Sequence, residues 1–581
     1  MVFNYANKPL RRIVAVNAGL ALVGLIMIGR LFQVQVIQHG HYALAATMQQ
    51  SHKFPIPATR GQIYVIDGNQ KIPLALNLTL ETLYVDPAAI HDKAAVAAAL
   101  AQVTGDAAST YLSQMQSTTG RYLVLKTGMP TSMGAQIESL NLLGVGLTEV
   151  SRQTYPEGQL ASQLLGFVNH DGSGQYGVEG YFNDVLAGTP GSMKTTTDTQ
   201  GNPIAIAGSV DVPAVVGKSL VLTIDRNIQA QVEKALAAGV QTAKAPSGSA
   251  IVVDPATGEV KAMANYPTYD PNNYGAVTDY NVFSNAVVSN QFEPGSGFKV
   301  FTMSAGIDSK KITADQTYVD PGSVKVDGET IYNAERKQYG QQTMLQIIQK
   351  SLNTGVIFVL KAMGGDPDNI TMAGKQLFNT YIKRFGFGVT TGIEQSGEAA
   401  GTVNPPSKAA GNNVNYANMS FGQGISVTMI QMTMAVAAIA NGGKLYQPEL
   451  VHQVLSPDGS VQTIQPRIVN PHVIAANTGS ALTQMMIATV EHGSGYLAAE
   501  KGYKIAGKTG TAQVPLPGGG YDPKLNIGSF VGFAPADNPR FVVMVRINEP
   551  QTDGFAETTT VPAFGQIVHW LLNYYQIPPS A

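Results

Sequence analysis

One apolar segment near the N-terminus constrains the architecture of this chain more than any other feature. Residues 13–29 are all uncharged and lie between Arg12 and Arg30, and as a helix they would span roughly 25 Å. The two residues after Arg30 are also apolar. No small-residue cleavage pattern follows closely, so we predict an uncleaved membrane anchor over residues 13–32 rather than a signal peptide or a buried core helix.

The flanking charges predict the orientation of this anchor. Lys8, Arg11 and Arg12 precede it, and no acidic residue occurs before Asp67. Cytoplasmic flanks of membrane helices are enriched in lysine and arginine, so residues 1–12 are predicted to form a cytoplasmic tail. No later apolar run reaches spanning length. The rest of the chain is therefore expected on the far side of the membrane.

Composition excludes several classes of site. The 581-residue chain has a net charge of −2 and no cysteine, which excludes disulfides, thiolate metal sites and a cysteine nucleophile. The balanced charge gives no sign of a nucleic-acid-binding surface. The nine histidines are scattered and form no His-Glu-x-x-His motif, so we predict no metal site.

Two regions with different patterns follow the anchor. Residues 40–217 alternate short strand-like runs with turns and one alanine-rich helix. Residues 218–581 begin with a strand and a hairpin, end with two strands and a closing helix at 562–575, and hold clustered helices between. We therefore predict an α+β chain whose second domain is a helical body beside an antiparallel sheet formed from both its ends.

Ser296 and Lys299 form a candidate nucleophile and base. The segment Glu293-Pro-Gly-Ser-Gly-Phe-Lys299 predicts a helix starting near Ser296, and residues three apart share a helical face. A serine hydroxyl needs a neighbouring base, and a lysine becomes one only when burial or a second cation lowers its pKa. The tetrad alone is also compatible with a capping serine and a solvated lysine.

Two further polar groups occur downstream. Ser351 and Asn353 fall near the end of a helix-like run that starts at Thr343, and residues 508–511 read Lys-Thr-Gly-Thr within a predicted strand. Glycines in that strand would let another segment approach closely. Each group alone is an ordinary helix end or edge strand.

In this order the three groups match the Ser-x-x-Lys, Ser-x-Asn and Lys-Thr-Gly set of penicillin-recognising serine enzymes. The chain resembles the class B penicillin-binding proteins, and further stretches carry the likeness: 385–388, 420–431, 440–443, 506–513 and 529–540 in the transpeptidase region, and 60–63, 155–158 and 177–180 in the N-terminal pedestal. Residues 64–69 depart from the family pattern because they lack its arginine. The resemblance implies a pedestal over residues 40–217 and a penicillin-binding transpeptidase domain over 218–581.

The resemblance also implies a chemistry. Ser296 would attack a D-alanyl-D-alanine stem peptide, Lys299 would accept the proton, and Ser351 would relay a proton to the leaving amine. Asn353 would hold Lys299 or the substrate amide. The substrate carboxylate would bind at Lys508, Thr509, Gly510 and Thr511, and the backbone N–H groups of Ser296 and Thr511 would form the oxyanion hole. No cofactor is implied, and β-lactams would act as inhibitors.

The likeness further implies a place in the cell. The enzyme would be a single-pass protein of the bacterial membrane with a periplasmic or extracellular catalytic domain. It would partner a polytopic glycosyltransferase and division proteins through anchor and pedestal. Residues 292–296 and 529–533 resemble the septal branch more than the elongation branch, which stays an alternative. A β-lactam sensor or scaffold without turnover and a hydrolase on the same fold also stay open.

Overall fold

The computed structural model describes residues 8–118, 120, 122–196, 209–407, 409–515, 520–552 and 555–579. The chain divides into two compact units. The first comprises residues 1–59 and 188–216, and the second comprises residues 60–187 and 217–581. Residues 1–7 of the predicted tail lie outside the described part.

The first unit contains the predicted anchor and a small sheet. Helix Lys8–Phe32 continues through a π-helical turn at Gln33–Ile37, and the stretch Arg12–Ile37 is long and apolar enough to cross a membrane. It fits a single-pass anchor that extends a few residues past the predicted end at residue 32. The other elements of this unit are helix His39–Gln50 and strands Ser51–Ile56, Gly191–Thr196 and Ser209–Val212.

A five-stranded antiparallel sheet forms the centre of the second unit. In spatial order its strands are Val260–Tyr266, Ser247–Val253, Phe541–Asn548, Tyr521–Ala534 and Ala506–Pro515. The two ends of the predicted second domain thus build one sheet, as expected.

Both faces of this sheet are covered, which explains its continuous apolar runs. Ile251 and Met544 belong to the core shared with helix Met429–Ala440, whereas Val252 and Val543 belong to the core shared with the C-terminal helix. Successive side chains of a strand point to opposite faces, so the apolar runs 250–253 and 541–545 of two central strands are continuous rather than alternating.

The closing helix begins earlier than predicted. It runs over Ala556–Tyr574 and contains Pro562, although we placed the proline in its first turn. In this extra turn the Thr559 and Thr560 hydroxyls donate to the Phe555 and Ala556 carbonyls at 2.9 and 3.0 Å.

A second, mixed sheet combines strands from both predicted domains. Strand Ser219–Asp225 pairs in parallel with Ile63–Asp67 and antiparallel with Val451–Leu455. The remaining strands of this sheet are Val461–Thr463, Gln70–Val85, Leu123–Pro130 and Val145–Thr154. Because strands from both sides of residue 217 belong to one sheet, this sheet does not mark the predicted boundary between residues 217 and 218. That boundary stays a prediction.

Helices fill the space around these sheets. Those before the five-stranded sheet are Lys93–Thr104, Ala108–Ser117, Thr131–Ser139, Ser162–Leu165, Gly177–Tyr181, Asn183–Leu186 and Arg226–Thr242. Those of the helical body are Ala286–Ser289, Lys299–Asp308, Met344–Gln349, Asn353–Met363, Met372–Arg384, Asn413–Ser420, Met429–Ala440 and Ala476–His492. Four small two-stranded ladders complete the fold: Phe167–Val168 with Gly174–Gln175, Thr317–Asp320 with Gly340–Thr343, Ser323–Val326 with Glu329–Tyr332, and Leu445–Tyr446 with Ile468–Asn470.

One buried network joins the three pedestal-like stretches of the sequence. Arg60 Nη2 lies 2.6 Å from Glu179 Oε2, and both side chains are buried. The Tyr155 hydroxyl and Gln153 Nε2 each donate to Glu179 Oε1 at 3.2 Å. Burial raises the pKa of Glu179 although Arg60 opposes the shift. Each of the three stretches supplies one member of this network, so stretches that are far apart in sequence meet in the fold.

We expect Glu179→Gln to lower the free energy of unfolding by about 3 kcal/mol, because it leaves the buried Arg60 guanidinium without a counter-charge. Urea unfolding of the detergent-solubilised full chain measures the change. Glu335→Gln, which breaks the exposed pair with Lys337, is the control and should cost less than about 1 kcal/mol. Equal losses in the two variants would contradict this account.

Candidate active site

Ser296 lies on a short turn that leads directly into a helix. Gly295–Phe298 forms one 3₁₀ turn, named here the serine turn, and helix Lys299–Asp308 follows it. The predicted helix start near Ser296 is thus observed. Ser296 is half-buried, whereas Lys299 is only 1% exposed.

The Lys299 amine makes its hydrogen bonds to Ser351 and not to the Ser296 hydroxyl, which the helical spacing suggested as its partner. Lys299 Nζ donates to the Ser351 carbonyl at 2.5 Å and to Ser351 Oγ at 3.1 Å. Among the described residues no hydrogen bond joins Ser296 to Lys299. The Ser351 carbonyl lies at a break between two helices and accepts a hydrogen bond from the buried Lys299 amine. This bond replaces the expected pairing of Lys299 with Ser296.

Ser351 lies between two helices rather than at the end of one. Met344–Gln349 ends before it, and Asn353 is the first residue of helix Asn353–Met363, so the single helix-like run predicted from Thr343 is wrong. Ser351 has φ +57°, a left-handed conformation that is costly for a residue with a side chain. This conformation interrupts the helix at the residue whose hydroxyl contacts both lysines.

Lys508 approaches Ser351 from the other side. Its Nζ donates to Ser351 Oγ, Thr509 Oγ1 and the Thr509 carbonyl, each at 3.2 Å. Thr509 Oγ1 lies 2.7 Å from Ser494 Oγ. A continuous chain of hydrogen bonds therefore runs from Lys299 through Ser351 to Lys508, Thr509 and Ser494.

Burial changes the acid–base properties of both lysines. It lowers the pKa of Lys299 well below its ordinary value, and the charge on Lys508 lowers it further. Burial also lowers the pKa of Lys508 to about 7. Both effects favour the unprotonated form of the Lys299 amine, which is the form that can accept a proton.

A glycine lets the edge strand Ala506–Pro515 approach the serine turn. A Cβ atom on Gly510 would lie 2.5 Å from the Pro294 carbonyl oxygen and 2.5 Å from Ser529 Oγ. The close approach expected from the Lys-Thr-Gly-Thr strand is thus observed. It brings Thr511 and Ser296 to the same cleft, where their N–H groups could serve one oxyanion.

Asn353 does not hold Lys299. Its Nδ2 donates to the Tyr332 carbonyl at 2.8 Å, and among the described residues no hydrogen bond joins it to Lys299. Asn353 does line the cleft. Of its two expected partners, the substrate amide is the one compatible with this position.

The cleft itself has a volume of about 680 Å³ and is lined by Ser296, Ser351, Asn353, Thr509 and Thr511. Sequence reasoning missed further lining residues: Glu335, Gln423, His492, Ser494, Asn526 and Glu557. They come from separate elements and share no spacing that would reveal them. Among the described residues no group of three or more histidine, aspartate or glutamate side chains could hold a metal ion.

Comparison with known families gives two matches. The penicillin binding protein transpeptidase domain matches residues 248–569, and the penicillin-binding protein dimerisation domain matches residues 55–222. The first match includes all eight predicted site residues.

Named relatives agree with these matches. Stage V sporulation protein D of Bacillus subtilis is 32% identical over 96% of this chain and 85% of its own length. Peptidoglycan D,D-transpeptidase FtsI of Escherichia coli K12 is 31% identical over 96% of this chain and 90% of its own.

Solved structures share the fold. Penicillin binding protein 3 of Mycobacterium tuberculosis, in complex with aztreonam, has a TM-score of 0.70 and 29% identity over 91% of this chain and 98% of the other. Penicillin binding protein 2X of Streptococcus thermophilus has a TM-score of 0.77 and 25% identity over 90% of this chain and 80% of the other.

Proposed function

This chain belongs to the penicillin-binding protein family, with the dimerisation and transpeptidase domains of its class B members, and from that premise we propose that it is a serine D,D-transpeptidase of peptidoglycan. The observation that supports this most strongly is the buried hydrogen-bonded chain from Lys299 through Ser351 to Lys508 beside Ser296. It supplies a buried amine with a lowered pKa, a relay hydroxyl and a second amine at the site of this serine.

In the first half-reaction Ser296 Oγ attacks the carbonyl carbon of the penultimate D-alanine. Its proton passes to the unprotonated Lys299 amine, and the N–H groups of Ser296 and Thr511 stabilise the oxyanion, which other enzymes exploit for about 3 kcal/mol per donor. The peptide bond then breaks. The terminal D-alanine leaves as an amine after it receives a proton through Ser351, which contacts both lysines.

In the second half-reaction an amine of a neighbouring stem peptide attacks the acyl-enzyme. Lys299 accepts the proton that the amine loses, the ester bond to Ser296 breaks, and the serine hydroxyl is restored. Before that, in the first half-reaction, Lys508, Thr509 and Thr511 bind the terminal carboxylate of the donor peptide, which leaves with the D-alanine, and Asn353 binds the donor amide. The product is a peptide cross-link.

We place this activity on the outer side of the bacterial membrane. The apolar helix at Arg12–Ile37 and the basic residues before it support a cytoplasmic N-terminus. The septal-type stretches at 292–296 and 529–533 support a role in division. A polytopic glycosyltransferase is the partner that this role implies, contacted through the anchor and through a pedestal at residues 40–217.

Transfer of a labelled D-amino acid tests the proposal. The full-length protein is incubated with a D-alanyl-D-alanine pentapeptide and labelled D-alanine, and exchanged peptide is compared with released tetrapeptide acid. Exchange in excess of hydrolysis is the expected result. Release of acid without exchange would indicate a hydrolase, and acylation by penicillin with neither product would indicate a sensor or scaffold.

The pH dependence should report the coupling between the two lysines. The positive charge of Lys508 lowers the pKa of Lys299. The Lys508→Met variant removes this charge and should therefore raise the Lys299 pKa. The acid limb of the penicillin acylation rate, where Lys299 becomes protonated, should then move to higher pH. Stopped-flow acylation over pH 5–9 measures the limb, and an unmoved or lower midpoint would contradict the coupling.

A further inference from the structure

Glu293 lies three residues before Ser296 and has no role in the steps above. Its side chain is only 9% exposed. Its Oε1 accepts hydrogen bonds from the Gly424 N–H at 2.8 Å and from the Tyr521 hydroxyl at 3.2 Å. One carboxyl oxygen beside the nucleophile thus joins two segments that are distant in sequence.

The first of these segments packs directly against the serine turn. Phe292 and Val427 exchange both backbone hydrogen bonds at 2.9 Å, and the Gly295 N–H donates to the Gly422 carbonyl at 3.0 Å. The contact is so close that a Cβ on Gly422 would lie 2.1 Å from the Gly295 carbonyl oxygen. Glu293 adds a side-chain hydrogen bond to Gly424 within this backbone pairing.

The second segment leads to the strand pair that carries Thr511. Tyr521 is the first residue of strand Tyr521–Ala534, which pairs with strand Ala506–Pro515 along its length. Thr511 lies on that partner strand. Glu293 therefore connects the serine turn to the strand pair that carries the second oxyanion donor.

We propose that Glu293 is a positioning residue, which fixes the serine turn against the Gly422–Val427 segment and the strand that begins at Tyr521. It does not touch the substrate. It acts through the backbone of Ser296, whose N–H and hydroxyl must keep a fixed distance from Thr511. The inference rests on the proposed function, because the distance matters only if Ser296 is acylated.

The chemistry of the site predicts which substitutions it tolerates. Glu293 Oε2 is buried without a hydrogen-bond partner, and among the described residues no salt bridge reaches the carboxyl group. Tyr521 is the titratable group that faces it, and burial raises the Glu293 pKa. A neutral amide presents the same accepting oxygen, so glutamine should replace glutamate, whereas alanine should not.

The test measures acylation of the detergent-solubilised full chain by a chromogenic cephalosporin. Stopped-flow traces give the limiting acylation rate and the concentration at half-saturation. We expect Glu293→Ala to lower the limiting rate by about 10- to 100-fold with a smaller effect on half-saturation, because misplacement acts on the transition state. Glu293→Gln should stay within about threefold of the unsubstituted protein.

Glu233→Ala is the matched control. Glu233 is another glutamate whose pKa burial raises, and its Oε1 accepts the Ala161 N–H at 2.7 Å, outside the cleft. Its loss should lower the unfolding temperature but leave the limiting acylation rate unchanged. Equal rate losses in Glu233→Ala and Glu293→Ala would mean that Glu293 only contributes to the stability of the fold, and this would overturn the proposal.

The remaining outcomes distinguish a failure of the positioning role of Glu293 from a failure of the proposed transpeptidase function. If the unsubstituted protein is never acylated, the proposed function fails. If it is acylated and Glu293→Ala is equally fast, only the positioning role fails. If Glu293→Ala does not fold, Tyr521→Phe decides, because it removes one of the two hydrogen bonds and should lower the limiting rate about fivefold. A rate within about threefold of the unsubstituted protein would overturn the role.

Discussion

Ser296→Ala should form no covalent adduct with penicillin at any time or concentration. The ester of the acyl-enzyme requires the serine oxygen, and no neighbouring hydroxyl can substitute for it, because Ser351 Oγ already lies between the two lysines. Reversible binding should persist, since Lys508, Thr509 and Thr511 remain. The loss of one half-buried hydroxyl should change the free energy of unfolding by less than about 0.5 kcal/mol.

Fluorescent penicillin labelling, read on a denaturing gel, measures this effect. Ser309→Ala is the matched control because Ser309 follows the same helix and its hydroxyl donates only to helix carbonyls. The control should label like the unsubstituted protein. Residual labelling of Ser296→Ala would identify a different nucleophile.

Lys299→Met should lower the acylation rate by about 10³-fold, within the range expected for loss of a general base. Methionine has a length similar to that of lysine and fills the buried site without a charge, so the fold should persist. The acid limb of the pH profile should disappear as well, because the group that titrates there is gone. The observable is the second-order rate constant of acylation across pH.

Two further variants test whether Lys299 contributes as a proton acceptor, as a positive charge, or only as a buried lysine. Lys299→Arg keeps a cation that cannot give up its proton near neutral pH and should be as slow as Lys299→Met. Lys375→Met removes another buried lysine, whose Nζ donates to the Gly411 carbonyl, and should acylate normally. A fast Lys299→Arg variant would show that charge, rather than proton transfer, is the contribution of Lys299.

The sequence predicted the parts of this site that depend on local pattern. The apolar run at the N-terminus, the strand that carries Lys508 and the helix start near Ser296 all follow from periodicity and turn residues, and the structure contains them. The family likeness placed Ser351 and Asn353 in the site although their local pattern carried no chemistry. The local sequence pattern therefore predicts the helices and strands of the site better than it predicts the contacts between their side chains.

The errors arose where tertiary contacts override local preference. Nothing in the pattern around Ser351 predicts a left-handed residue between two helices, and the lysines that hydrogen-bond it, Lys299 and Lys508, come from distant segments. The early start of the last helix before Pro562 was missed because a proline is usually a first-turn residue. The role of Glu293 was invisible for the same reason, since both of its partners lie over 100 residues away.

Mapping the penicillin adduct tests the central claim most directly. The unsubstituted full-length protein is acylated with benzylpenicillin, sampled over hours, digested, and analysed by mass spectrometry. We predict one adduct on the peptide that contains Ser296, still present after hours because hydrolysis is slow. An adduct on a peptide without Ser296, or no adduct at saturating penicillin, would contradict the assignment of Ser296 as the nucleophile.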